Sequence, residues 1–569
     1  MPIRLSGINS GLDTDAIVKE LVSAYSLKTE KYEKQKTTLE WKQDAWKSLN
    51  TKIYGFYTNV SGMRYSSAYS LKKTTVSDNT KATITAGTDA VAGTQKLNIL
   101  QTAQASYLTG GYLGEDVTAA TTLKDLGYKG GATTLKLKIA SKEAEALEEG
   151  KGRDASIEIK IGADTKISDV LEQLAEAGIN ANFDTNNGRI FLSAKESGAA
   201  ADFDIDAENE NAYAALSALG LAAEDDAVDS INRQAKEYNK LYAEYANATG
   251  TDKEELLKKL NEYSAEIKQV AAGLKKAEEV VNTDNLATKI AGQDAIIKLN
   301  DVEFTSSSNT FNINGLTIEA TGVTGDGIKN AITVTTSTDT QGIYDKIKDF
   351  LTEYNTLINE ITKLYNAESA KDFEPLTDEE REAMSDEQIE KWEGKIKSAL
   401  LRRDNTLGNI MNAMVNSMSQ SYEIDGQKFS LSSFGISTLG FLNAAENEQN
   451  AYHIDGDEDD ENTSGKKDKL MAAIQENPDQ VMDFMKQLAS NLYTSIDEKM
   501  KSTELSSAYK VYNDKEMDRE MTDIEKLIAK WEDKIAEQED SYFKKFSQME
   551  VALSKLQSQT NSLSGLLGQ

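Results

Sequence analysis

The stretch LEWKQDAWKSLNTKIYGFYTNVSGM, residues 39–63, sets Leu39, Trp46, Leu49, Ile53, Phe56, Val60 and Met63 at steps of three and four, with one polar slot at Lys42. That spacing lays the apolar side chains along one face of a helix, and sustained heptads favour a coiled-coil seam. A matching stripe lies near the other end: Ile528, Trp531, Ile535, Tyr542, Phe546, Met549, Leu553, Leu556 and Leu563, interrupted by Gln538 and Thr560. Neither helix can bury its stripe alone. Pairing the two ends, or packing several copies together, makes the chain a hairpin whose loop is everything between. This is the layout of a protein that assembles, more than of one that catalyses.

Working outward, Ser10, Asp13 and Thr14 offer N-caps for a helix beginning near Asp15. Run unbroken to Met63, it would be about 70 Å long. Gly55 and Gly62 weaken its second half and predict a bend or an end there. From Thr74 the period changes to two. Strands are expected at 75–77, 82–85 and 96–100, then at 135–139, 157–161 and 189–192, the last after a turn at Asn186-Asn187-Gly188. A short helix over 167–174 takes Ser168 as its cap. Residues 231–281 return to helical spacing and read as an αα-hairpin turning at Asn247 to Gly250. Strands resume at 295–299, 311–318 and 332–336, with turn chemistry at Ser306 to Asn309. The most regular helix follows, through Ile343, Ile347, Phe350, Tyr354, Leu357, Ile361 and Leu364. Thr377-x-x-Glu380 and Ser385-x-x-Gln388 are successive capping boxes. Tyr422 to Phe429 reads as a small hairpin, and Pro478 opens a helix at its first position. The fold class is therefore α+β multidomain: a terminal helical coiled-coil leg with inserted β-rich head domains.

Composition narrows the chemistry. The 569 residues exceed a single core, with roughly three to five domains as the prior. The formal net charge is -31, a field that repels phosphate backbones and anionic lipid, so neither nucleic acid nor membrane is an expected partner. There is no cysteine, which removes disulfides, thiolate catalysis and cysteine metal sites. No charged segment followed by an apolar core marks a secretory signal at the N-terminus, and no run of about 18 apolar residues predicts a membrane span.

His453 is the only histidine, which rules out imidazole-rich metal sites and reads as a surface or interface residue. Asp455, Asp457 and Asp459 match the first ligands of a calcium loop. However, Asp460 stands where that loop needs glycine, and Lys466 where it needs the closing glutamate. A solvated turn is the expectation. No GxGxxG or GxxxxGK[ST] phosphate cradle occurs, and nothing marks a carboxylate pair for glycoside hydrolysis. No enzyme, cofactor or metal is expected.

Several motifs together resemble the flagellar filament capping family, also called hook-associated protein 2. Ser10-Gly11-Leu12-Asp13-Thr14-Asp15-Ala16-Ile17-Val18 is similar to its N-terminal signature. Trp392 to Lys397 with Leu400 to Asp404, Asp468-Lys469-Leu470 leading to Asn477 to Val481, and Phe546 to Glu550 resemble its C-terminal region. Residues 157–220 also resemble a β-rich module of flagellar axial proteins. The helical pair 231–281 is less familiar in this family and reads as an insertion in the head. The resemblance implies terminal coiled-coil helices at 1–44 with 520–569 and a helical leg at 45–72 with 339–519. It further implies a β-rich head domain at 73–108 with 285–338, and an outer head domain at 109–284 carrying the helical hairpin. It implies a ring homo-oligomer, usually taken as five subunits, at the flagellum tip. There it would retain exported flagellin and guide its folding and insertion. The implied partners are other copies of itself, flagellin, and the flagellar export apparatus with a chaperone, which would also explain the missing signal peptide.

On this reading the leg and coiled-coil packing residues are Trp46, Leu49, Ile53, Phe56, Ile347, Phe350, Tyr354, Leu357, Trp531, Ile535, Tyr542, Phe546, Met549, Leu553 and Leu556. Lys42, Gln538 and Thr560 either keep the terminal pairing weak enough to rearrange or are ordinary imperfections of a stable coiled coil. The alternatives are a tip adhesin binding host mucus or glycans, another flagellar axial protein, and a distant hydrolase.

Overall fold

The computed structural model describes residues 10–140 and 156–567. The chain divides into two compact units, Met1–Leu71 with Asp339–Gln569, and Lys72–Thr338. The first is helical and is built from both ends of the chain; the second is β-rich and interrupts it.

In the helical unit the N-terminal helix spans Thr14–Gly62. Asp13 is its cap, accepting from Ala16 N at 3.0 Å. The helix runs straight through Gly55, because Ile53, Phe56, Tyr57 and Val60 on either side of it are buried. That packing outweighs the roughly 1 kcal/mol a mid-helix glycine costs. It ends at Gly62. The other long elements are Thr340–Asn366, Asn405–Met418, Pro478–Lys499 and the C-terminal helix Asp514–Leu567. Their inward faces, with the second half of the N-terminal helix, form one core that includes Trp46, Leu49, Ile347, Tyr354, Met414, Phe484 and Leu492. Both capping boxes form: Thr377 N donates to Glu380 and Glu380 N to Thr377, and Ser385 and Gln388 do the same. Asn477 caps the helix opened by Pro478.

The β-rich unit holds two cores. A five-stranded antiparallel sheet has the order Lys72–Val76, Ile332–Thr338, Gly93–Gln101, Ala295–Leu299, Val302–Ser306. It shares a core with the three-stranded sheet Thr310–Ile313, Leu316–Ala320, Ala82–Ala86, through Leu97, Ile99, Ile297, Phe311 and Ile318. The second core, around Leu135, Ile159, Leu174, Ile190, Leu192 and Phe203, lies between a four-stranded sheet, a three-stranded sheet and the helices Ile167–Glu176 and Glu210–Ala218.

Three local expectations change. The expected strand 311–318 is a tight hairpin, because Asn314 and Gly315 both take positive φ (50° and 78°), the pattern of a two-residue turn. Ser168 lies inside its helix; the cap is Lys166, whose backbone N–H donates to Asp169. The helical hairpin at 231–281 starts earlier, at Glu224, and its return arm is two helices, Gly250–Glu262 and Ala265–Ala271. The break follows from Ser264, whose hydroxyl accepts from Ile267 N and starts a new helix.

Candidate assembly surface

The two terminal helices pack along each other, and the residues expected to pack divide into two groups. Trp46, Leu49, Ile53, Phe56, Ile347, Phe350, Tyr354 and Leu357 are all buried in the helical core. Trp46 stacks on Tyr512, with ring centroids 5.4 Å apart and planes 8° from parallel. Phe56 lies 6.1 Å from Phe350 and 6.3 Å from Tyr354, joining the N-terminal helix to Thr340–Asn366. The Tyr57 hydroxyl sits 2.7 Å from Tyr493 Oη and donates to Asp497 Oδ1 at 2.8 Å. Burial first, then these contacts, pushes that hydroxyl well above the ordinary phenol range, so it stays a donor.

Further along the pair Val18 and Val22 of the N-terminal helix stay buried, but the C-terminal helix is less covered. Trp531, Ile535, Tyr542, Phe546, Met549 and Leu553 are only half-buried, and Leu556 is 58% exposed. Tyr25 meets Trp531 at 6.2 Å, and the ammonium groups of Lys28 and Lys534 lie 4.3 Å and 4.2 Å from that ring. A stripe covered on one side by one helix keeps apolar area for further neighbours.

The polar slots also sort differently from expectation. Lys42 turns away to Asp404, 3.1 Å from its carboxylate, which itself caps Asn405–Met418. The polar residue facing the C-terminal helix is its neighbour Gln43, whose amide donates to Asp518 Oδ1 at 3.0 Å. Gln538 is half-buried, and exposed Thr560 returns its hydroxyl to Leu556 O. Periodicity had no means of finding Tyr512, Val511 or Tyr509, which precede the last helix. A 490 Å³ cleft lies between Leu27, Leu39, Pro375 and Ile524, with Lys34 at its rim 3.3 Å from Glu380.

Side chains of this chain already tie down the aspartates of the acidic turn. Lys348 Nζ lies 2.7 Å from Asp457 and 2.6 Å from Asp459, Lys466 lies 2.9 Å from Asp455, and His453 Nδ1 is 2.6 Å from Asp460. Burial works against the charge on Lys348, but the two carboxylates outweigh it and raise its affinity for the proton; Lys348 in turn lowers Asp459. Among the described residues no cluster of three or more His, Asp or Glu side chains could hold a metal. Among them too, no helix is long and apolar enough to cross a membrane.

Fold and surface together define an α+β multidomain protein whose helical unit is formed by its own two ends. Models of the flagellar hook-associated protein 2 N-terminus and C-terminus match residues 10–106 and 292–558. The chain belongs to the flagellar hook-associated protein 2 family. It is 23% identical to the flagellar hook-associated protein 2 of Halalkalibacterium halodurans over 99% of both chains. It is 24% identical to that of Thermotoga maritima over 99% of this chain and 96% of the relative. The crystal structure of the D1–D2–D3 domains of the flagellar cap protein FliD from Escherichia coli aligns with 79% of this chain and 95% of its own, at 18% identity and a TM-score of 0.43.

Proposed function

We propose that the chain is a non-enzymatic cap at the distal tip of the bacterial flagellar filament, where it retains exported flagellin and guides its folding and insertion. The observation that carries this reading is the end-to-end match to relatives named flagellar hook-associated protein 2. The seam adds support: its core end is buried, whereas its far end leaves Leu556 and Leu563 open for neighbouring helices. On this reading copies of the chain form a ring, and the terminal helices (1–44 with 520–569) and the leg (45–72 with 339–519) make the contacts with filament subunits. The β-rich regions (73–108 with 285–338, and 109–284) form the plate. Trp46, Ile53, Phe56, Phe350 and Tyr354 stiffen the leg, while Trp531 through Leu556 supply its adaptable surface. Export through the flagellar apparatus, with a chaperone, brings the chain to the tip.

Deleting the gene tests the reading. The expected result is lost motility with monomeric flagellin released into the medium, both reversed by adding purified protein. Filaments of normal length in the deletion strain would refute it.

A further inference from the structure

Polar contacts of the N-terminal helix with the C-terminal helix and the segment just before it recur with one spacing. Lys36 Nζ lies 3.1 Å from Glu525 Oε1, and Gln43 Nε2 lies 3.0 Å from Asp518 Oδ1. Asn50 Oδ1 accepts from Val511 N at 2.9 Å, and its Nδ2 donates to Tyr509 O at 3.2 Å. From 36 to 43 to 50 the chain advances seven residues at a time, while the partners step back from 525 to 518 to 511. The first two rungs join helix to helix in an antiparallel heptad register, the third holds the segment just before the C-terminal helix, and all three are polar. The column continues to Thr29, which is 7% exposed with its hydroxyl buried and unpartnered. By the same count it falls opposite Glu532, and Val22 falls opposite Glu539. The C-terminal helix thus carries Asp518, Glu525, Glu532 and Glu539 in successive heptads along this edge. The adjoining column of the N-terminal helix is Val18, Tyr25, Tyr32, Leu39, Trp46 and Ile53, without a charge.

We propose that the polar column is the specificity-determining surface of the seam. The partner it fits is an antiparallel helix with a carboxylate at every seventh position, as the chain's own C-terminal helix has. The two kinds of rung have separate roles. A one-heptad slip would still set Lys36 against a carboxylate, Glu532, so the acidic ladder selects direction and face but not the heptad. Asn50 selects the heptad, because only one register supplies both Val511 N and Tyr509 O. Exposed ion pairs stabilise by less than about 1 kcal/mol, so the ladder acts on the choice between arrangements more than on total stability. A purely apolar seam has no such preference, since a slip of seven sets apolar side chains on apolar side chains again. The proposal does not depend on where the protein acts.

The chain has no cysteine, so introduced pairs report the register directly. In the full-length protein at high dilution, Thr29→Cys with Glu532→Cys reads the native register, and Thr29→Cys with Glu539→Cys reads a slip of one heptad. A short bismaleimide should link the first pair at least about tenfold more than the second. Adding Asn50→Leu should bring the two yields to within about twofold of each other. Lys36→Glu should lower the native yield, and Lys36→Glu with Glu525→Lys should restore it. Two results would overturn the proposal: a slipped yield still tenfold lower with Asn50→Leu, or no recovery in the charge-swapped protein. If Asn50→Leu unfolds the helical unit, the charge-swap series decides alone, because it leaves the buried Asn50 contacts intact.

Discussion

Trp46 and Leu556 occupy equivalent places in the two sequence stripes, yet the structure predicts very different costs for losing them. Trp46 is 2% exposed and stacked on Tyr512. An aromatic side chain buries roughly 150–250 Å², and a tryptophan lies at the upper end of that range. At about 25 cal/mol per Å² this is about 5–6 kcal/mol. A compact unfolded chain removes some 10–40% of that, and the stacked pair adds about 1 kcal/mol. Trp46→Ala should therefore destabilise the helical unit by about 5 kcal/mol, the upper end of the usual range for emptying an aromatic site. Leu556 is 58% exposed. Leu556→Ala should change stability by less than about 0.5 kcal/mol, as surface substitutions do. Urea unfolding followed by circular dichroism at 222 nm measures both without depending on tryptophan emission. With a slope of about 3 kcal/mol/M, Trp46→Ala should lower the midpoint by more than 1 M while Leu556→Ala leaves it within about 0.2 M. A Trp46→Ala cost below about 1.5 kcal/mol would refute the assignment of Trp46 as a core anchor. Equal costs at the two sites would mean that the far end of the seam is as closed as the near end.

Other predictions address the remaining links. Burial raises Asp226 to about 6 from 3.8, against the lowering effect of its bond from Ala223 N. The folded state therefore binds the proton more tightly, so stability rises as pH falls from about 6 to 4 and the ionised carboxylate weakens the fold above that. Asp226→Asn keeps an acceptor for Ala223 N and should raise stability at pH 8 by up to about 3 kcal/mol. Calorimetry at pH 5 and pH 8 checks this, and parallel shifts of the two proteins would contradict it. Gly315 has φ +78°, and a Cβ there would lie 2.6 Å from Ala90 N, a backbone atom, whereas Gly250 at φ +63° has open space. Gly315→Ala should lower the melting temperature of the β-rich unit clearly more than the roughly 1 kcal/mol expected for Gly250→Ala. Tyr57→Phe deprives Asp497 of a donor and should cost about 1–2 kcal/mol in urea unfolding; no change would mean that water replaces the bond fully.

Whether a feature is legible in the chain depends on how local its cause is. Asp13, the boxes at Thr377 and Ser385, and Pro478 act on backbone groups within one turn, so a few residues identify them. The terminal stripes are legible because a helix repeats its face every few residues whatever it packs against. The hairpin at Asn314-Gly315 is just as local: the apolar positions 311 and 313 change phase to 316 and 318 across an Asn-Gly pair, so reading 311–318 as one strand passes over a turn that the sequence does carry. Burial of Trp46 and exposure of Leu556 look alike in the sequence, since periodicity names a face and not what covers it.

Helical ends, a β-rich middle and the pairing of the two termini follow from short-range chemistry: steric preference, backbone hydrogen bonding and the spacing of apolar side chains. Which polar residues enter the seam does not. Lys42 and Gln43 are one residue apart, about 100° around the helix, and only packing against the C-terminal helix and Asn405–Met418 turns one toward Asp518 and the other toward Asp404. The buried bonds of Asn50 to residues more than 450 positions away are of the same kind. Such contacts exist only after the chain ends have met, so their energies depend on distances that no local pattern encodes.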